Sequence, residues 1–288
     1  MNVDPFGQAR FRSARRVTSV GQAPTSRTAK IVRRVWRLRI EFASLVVFFT
    51  IWQVVGAMTS TVLFATPTRV IAAAVDLLRT GQMESALGVA TKDVVTGYVL
   101  AVVVGLIIGV AMGRNRVIQR ILNPYVNFMQ ATPVIAAVPL MVIWFGIGFE
   151  ARFLVVFLLS VWSVIINTET GVRGTPRVLM EVAQIYHLSQ WKIIRDIALP
   201  NAVPMIFAGL RIALGKALIG MIIAETEVTV IGLGGLISNY GDEFKTAYLL
   251  AAICAASVVG VITAGLLSWS LRRYFPWVEA TSAAAVRD

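Results

Sequence analysis

Val94-Val-Thr-Gly97-Tyr-Val-Leu-Ala-Val-Val-Val-Gly105-Leu-Ile-Ile-Gly109-Val-Ala-Met112 runs without a single charged side chain. A helix needs about 20 predominantly apolar residues to cross the roughly 30 Å of a bilayer's hydrocarbon core, and this stretch meets that length. Gly105 and Gly109, with Gly113 just beyond, recur every four residues and so fall on one helical face. Small residues at that spacing let a neighbouring helix approach closely, which predicts a packing face inside a bundle.

Five further stretches of the same character flank it, at about Phe42 to Ala57, Val126 to Ile147, Phe153 to Asn167, Val203 to Ala224 and Tyr248 to Leu271. The expected fold class is therefore all-α: a polytopic membrane protein with six transmembrane helices. The composition agrees, with 57% of the 288 residues hydrophobic and a mean hydropathy of +0.75. Soluble domains run nearer 45–50% apolar. Pro133 and Pro139 fall in the third stretch and predict a broken helix beside a pathway, because a span tolerates proline where other groups satisfy the freed carbonyls.

Arginine and lysine set the expected orientation. With six spans, the N-terminal segment (Arg10, Arg12, Arg15, Arg16, Arg27, Lys30, Arg33, Arg34, Arg37, Arg39), the loop with Arg114, Arg116 and Arg120, the loop with Arg173, Arg177, Lys192 and Arg195, and Arg272, Arg273 and Arg287 all share one side. The opposite side carries only Arg69, Arg79, Lys92, Arg152 and Lys245. Both termini are expected in the cytoplasm, with the protein in the plasma (inner) membrane. Three regions follow: a basic, disordered tail over 1–39, a transmembrane domain over 40–275 and a short cytoplasmic tail over 276–288. The arginine pairs 15–16 and 33–34 are not expected to make a twin-arginine leader, since no short apolar region with a small-residue cleavage site follows the first pair and the run after the second is long enough to stay in the bilayer. The net charge of +12 sits at the ends of apolar stretches, which argues against a nucleic-acid partner. In the outer loop, Thr68 to Gly81 reads as a short amphipathic helix with Thr68 as its cap and Gly81 at its end.

The loop from Thr175 to Pro200 is more than a linker. Thr175-Pro176 is a helix start, and Val178, Leu179, Val182, Ile185 and Tyr186 form an apolar stripe that stops near His187. Ser189 caps a second helix, with Trp191, Ile194, Ile197 and Ala198 on one face and Pro200 at its close. Two short helices at an angle form a knob suited to docking a partner.

This loop resembles the signature of permease subunits of binding-protein-dependent ABC importers: Glu-Ala-Ala, three residues, Gly, nine residues, Ile-x-Leu-Pro. Here stand Glu181-Val182-Ala183, then His187, then Ile197-Ala198-Leu199-Pro200. Every spacing fits, and two residues depart: Val182 for alanine and His187 for glycine. Histidine is among the less disfavoured residues in the left-handed turn that the glycine would make, so the same backbone is expected at about 1 kcal/mol. Pro133 to Leu140 with Phe145-Gly-Ile-Gly148, Gly209 to Gly215, and Ala224-Glu225 with Gly232-Leu-Gly234 resemble the nitrate, taurine and sulfonate branch.

The resemblance covers about Phe42 to Tyr274 and implies a mechanism. Two permease copies, a homodimer, pair around a pathway. Each presents its coupling knob to a cytoplasmic ATPase dimer that carries ATP and magnesium, and an external solute-binding protein delivers the solute. Glu181, Ala183 and His187 would lie at or near the ATPase contact, Ala183 permitting close approach and Glu181 holding the knob's shape. Ile197, Leu199 and Pro200 complete the signature.

No catalytic or metal site is readable, and the chain is expected to be no enzyme and to bind no cofactor itself. Gly209 to Lys216 imitates a phosphate loop, but five residues separate the glycines and Ala217 follows the lysine. The lone His187 and lone Cys254 exclude His or Cys clusters and an internal disulfide. A secondary transporter or channel without an ATPase is the competing class; it needs no coupling loop and favours more ionisable groups within spans. Lys216, deep in the fifth stretch, either faces a cavity and favours an anionic solute such as a sulfonate, taurine or nitrate, or pairs with Glu225, Glu227 or Glu169, or snorkels outward. Arg211 lies nearer the cytoplasmic end.

Overall fold

The computed structural model describes residues 27–60 and 62–275. The expectations for the first 26 residues and for 276–288 lie outside the described residues. All regular structure among the described residues is helical. The chain divides into two units, 1–51 and 52–288. In the first, α1 (Arg27–Met58) begins well before the apolar stretch and carries on into the second unit.

The second unit is built on α3 (Gln82–Arg114), α6 (Phe149–Arg173) and α9 (Leu199–Ala224), with α6 in the middle. Glycine decides how close α3 and α6 come. A Cβ on Gly97, Gly105, Gly109 or Gly113 would lie 2.6–2.7 Å from the Cβ of Val156, Val164, Thr168 or Val172, respectively. The predicted packing face is therefore real, and Gly97 extends it by two turns. Numbers rise together along both helices, so α3 and α6 run parallel. Gly171 meets Ala202 and Gly220 meets Val156, so α9 runs antiparallel to α6.

Parallel α3 and α6 require the chain between them to return to its starting end. It does so through α4 (Arg116–Ala131) and α5 (Val134–Phe145), which meet at 99°. Among the described residues five helices are long and apolar enough to span a membrane, and a sixth span is counted where the bent pair is taken as one. The expected third span is thus broken, at Thr132-Pro133, as its prolines foretold. Asn115 caps α4 by accepting from the amides of Val117 and Ile118 at 2.8 and 3.3 Å.

The short helix of the outer loop, α2, covers Pro67–Arg79. Its N-cap is Thr66, not Thr68, because Pro67 fixes φ at the first helical position. Gly81 ends it with φ +73°. Around it the tyrosine rings of Tyr240 and Tyr248 stack at 4.9 Å, and their hydroxyls donate to Gln82 and Asp76 at 2.8 and 2.9 Å. These bonds tie α2 and α3 to α10 (Gly232–Asp242) and α11 (Thr246–Tyr274).

One expectation fails at Pro200. The second knob helix does not close there. Instead α8 (Gln190–Lys192), a π-helical turn over Ile193–Ala198 and α9 join in one helical rod that reaches Thr229. Proline has no N–H to give and its ring crowds the carbonyl four residues back. The wider π turn just before it takes up that misfit, so the helix passes through.

Candidate functional site

The knob forms at the end of α6. Helix α7 spans Arg177–Ile185, with Pro176 rather than Thr175 in the capping position; the Thr175 hydroxyl donates back to the Val172 carbonyl at 2.8 Å. The helix stops in a Schellman turn. The Leu188 amide donates to the Ala183 carbonyl and the His187 amide to the Gln184 carbonyl, both at 3.0 Å. His187 takes φ +48°, the left-handed conformation expected where the signature has glycine. The Ser189 hydroxyl accepts from the Lys192 amide at 3.4 Å and starts the next helix.

The apolar stripe of the knob points out of the chain. Val178, Ile185, Tyr186 and Trp191 are 66%, 73%, 75% and 70% exposed. Ala183 is fully buried within the chain, where α7 meets the π turn. Its small side chain lets α7 pack closely on the π turn inside the knob. Val182 and His187 are exposed, Ile197 and Leu199 half-buried, and Pro200 exposed. Glu181 is exposed, and no side-chain bond of it is among those that shape the knob. Arg114 reaches across from α3 to donate to Gln190 at 2.6 Å, fixing the knob against the bundle.

The opposite end holds a buried ionic cluster that sequence reasoning missed. Asp93 on α3 is fully buried and Arg152 on α6 nearly so; Arg152 Nε donates to Asp93 Oδ2 at 2.6 Å. Arg152 Nη1 donates to Thr229 Oγ1 at 3.1 Å, in the π turn Glu225–Thr229 that ends the rod. Glu225, fully buried, accepts from the Gly234 amide at 2.8 Å and so occupies the N-terminus of α10, where a helix dipole favours an anion. A Cβ on Gly232 would overlap the Glu225 carboxylate, and one on Gly234 would sit 2.7 Å from its Cβ. The Gly-Leu-Gly pattern is the mould for that side chain. Asp93 Oδ1 and Glu225 Oε1 are buried with no hydrogen-bond partner among the described residues.

The pathway candidates are not gathered into one cluster. Pro133 caps α5 and Pro139 lies within it, both exposed, whereas Glu225 is sealed against Gly234. Lys216 lies half-buried on α9. Of the alternatives for Lys216, the carboxylate pair is not made: Glu169 bonds Arg173 at 3.1 Å, Glu225 bonds Gly234, and no ion pair among the described residues includes Lys216. Arg211, exposed on the same helix, is likewise in none of them.

Residues 101–276 match the family described as the binding-protein-dependent transport system inner membrane component. The chain belongs to this family. Its relatives include a putative aliphatic sulfonates transport permease of Bacillus subtilis, 29% identical over 80% of this chain and 84% of that protein. Another is the bicarbonate transport system permease of Synechococcus elongatus, 32% identical over 65% of this chain and 64% of that protein, a little under two thirds of its length. Among solved structures, a chain of the MetNI methionine ABC transporter in an inward-facing conformation matches with a TM-score of 0.55. It shares 19% identity over 70% of this chain and 96% of that one, so it speaks to the fold alone. The glycines of the α3 face from Gly105 on, the knob and the Glu225 mould all lie inside the matched region of this permease. It is an ABC importer permease, an inner-membrane transport component by family.

Proposed function

We propose that this permease couples ATP hydrolysis on a separate ATPase dimer to the import of a small anion handed over by an external binding protein. Two copies form the pathway, with residues 40–275 as the transmembrane part and both termini, 1–39 and 276–288, in the cytoplasm. The carrying observation is the outward apolar face of the knob. Val178 and Ile185 on α7 and Tyr186 at its end, all strongly exposed at the end of the bundle rich in arginine and lysine, have no reason to face water unless a partner covers them. A helix seated in a partner's groove is a common way to cover such a face.

The test is a vesicle-reconstituted transporter with its ATPase. Ile185→Glu, at a side chain 73% exposed, leaves the fold of the permease intact and places a charge in the contact. Loss of ATPase co-purification with an unchanged melting temperature of the permease is the expected result. Full assembly and transport by that variant would sink the docking role.

The anion reading leans on Lys216, which lies roughly 20 Å along the rod from Val203 at 1.5 Å per residue, and on the anions in the names of two relatives, sulfonates and bicarbonate. A lysine without a counter-ion at that depth is costly, by about 2.5 kcal/mol or more, unless it meets water or a ligand. Uptake of a sulfonate by Lys216→Met should fall while Lys216→Arg largely keeps it, at matched expression. Normal uptake by Lys216→Met, or a cationic solute, removes this part of the reading. Orientation is tested separately: in a Cys254→Ala background, Ser13→Cys should resist an impermeant thiol reagent in intact cells, and labelling there would reverse the topology.

A further inference from the structure

Beside the knob, α3, the π turn and the start of α9 line an open cleft of about 950 Å³. Its walls are apolar, with Ile107 and Val110 on one side and Val203 and Phe207 on the other. Phe275, at the end of α11, closes it by packing on Phe207 with ring centroids 5.4 Å apart. Two residues break the pattern, and both are at the rim. Trp191 is 70% exposed, and the Arg195 side chain, 76% exposed, reaches the cleft with only a 4.0 Å contact to Asp196. Lys192 stands one turn before Arg195 on the same helical face, and Arg273 is two residues from Phe275; both are exposed.

This is an apolar slot with a cationic lip and an interfacial tryptophan, placed at one end of the spanning helices. Water fills such a slot poorly, and a soluble anion would find no use for its walls. A molecule with a long apolar tail and an anionic head matches both parts. Basic pockets between spanning helices take anionic lipid headgroups for that reason. We propose that the cleft is a binding site for one anionic glycerophospholipid, its acyl chain between α3 and α9 and its phosphate on Arg195 and Lys192. The lipid then lies against Leu199 and Pro200, where the knob passes into the rod, and stiffens that junction. The inference rests on the membrane placement that the family gives and not on the solute or the ATPase.

The probe is phosphatidylglycerol, compared with phosphatidylcholine of identical acyl chains, added to the full chain in detergent and read by native mass spectrometry. One phosphatidylglycerol should be retained per chain and phosphatidylcholine should not compete. Ile107→Trp crowds the cleft mouth from a position 66% exposed, and Arg195→Gln removes one headgroup charge. Each should keep the wild-type melting temperature, and Arg195→Gln should bind about fivefold more weakly, the loss expected for one cation near an anionic headgroup. Equal retention of both lipids, or unchanged binding in both variants, overturns the proposal. So does a chain ending at Phe275 that binds more lipid than the full one, since the occupant would then be residues 276–288.

Discussion

Arg152→Leu should be among the most damaging single changes available in this chain. The guanidinium is 8% exposed and the Asp93 carboxylate beneath it fully buried, 2.6 Å from Nε. Among the described residues Asp93 Oδ1 has no hydrogen-bond partner, so removing Arg152 leaves the carboxylate without the counter-charge and donor that hold it. Breaking a buried pair from one side typically costs about 3–5 kcal/mol. Thr229 also loses a bond, adding about 1 kcal/mol. Asp93→Leu strands the arginine instead and should cost about 3 kcal/mol, softened by Thr229. The double variant strands nothing. Replacing a whole buried pair by apolar groups is often close to neutral, so the double change should cost only about 1–2 kcal/mol, far below the sum of the singles. Unfolding of the purified protein in mixed micelles, with a denaturing detergent as titrant and tryptophan fluorescence as readout, gives all three values. A loss under about 1 kcal/mol for Arg152→Leu, or a double variant as costly as the two singles added, would refute the latch.

Gly109→Val forces a side chain into the Ile165 carbonyl and Thr168, and should lose about 1–3 kcal/mol in the same assay, whereas Gly88→Ala, which meets nothing within 4 Å, should be neutral or slightly stabilising. His187→Gly relieves the left-handed strain at φ +48° and should slow hydrogen exchange of the Leu188 amide by an amount worth about 1 kcal/mol; faster exchange would show that the histidine side chain holds the turn. Glu225→Ala frees the Gly234 amide and should raise its exchange rate by the equivalent of about 1–3 kcal/mol while the centre of α6 stays protected.

Hydropathy and periodicity located the helices because each crossing carries its own apolar length. The 99° bend between α4 and α5 was legible only as a pair of prolines, since hydropathy counts residues and not direction. Pro200 misled because a proline's effect depends on the turn before it, and a π turn leaves no compositional mark. The knob was the most readable site. The resemblance to the signature placed His187 in the left-handed turn, yet it could not tell that Ala183 faces inward while Ile185 and Tyr186 face outward. The Asp93–Arg152 latch was invisible for a different reason. Each residue, taken alone, sits at the end of an apolar stretch where a charge is ordinary, and 59 residues separate the two. Only the parallel packing of α3 and α6 brings them together. Glu225 carried one signal, the glycines at 232 and 234, which mark a backbone that must come close to something bulky.

The rod from Gln190 to Thr229 has a mechanical meaning. Its 40 residues extend about 60 Å, twice the roughly 30 Å of hydrocarbon it must cross. One end is part of the knob and the other bears the Thr229 hydroxyl on which Arg152 rests. A straight beam pivoting near its middle by about 10° swings its two tips some 5 Å in opposite senses. Leverage of that kind needs no relay of side chains. If the rod moves as one beam, a displacement at Ser189 would arrive at Arg152 and Thr229 as a stroke of it, with the π turns Ile193–Ala198 and Glu225–Thr229 as the places where it could flex.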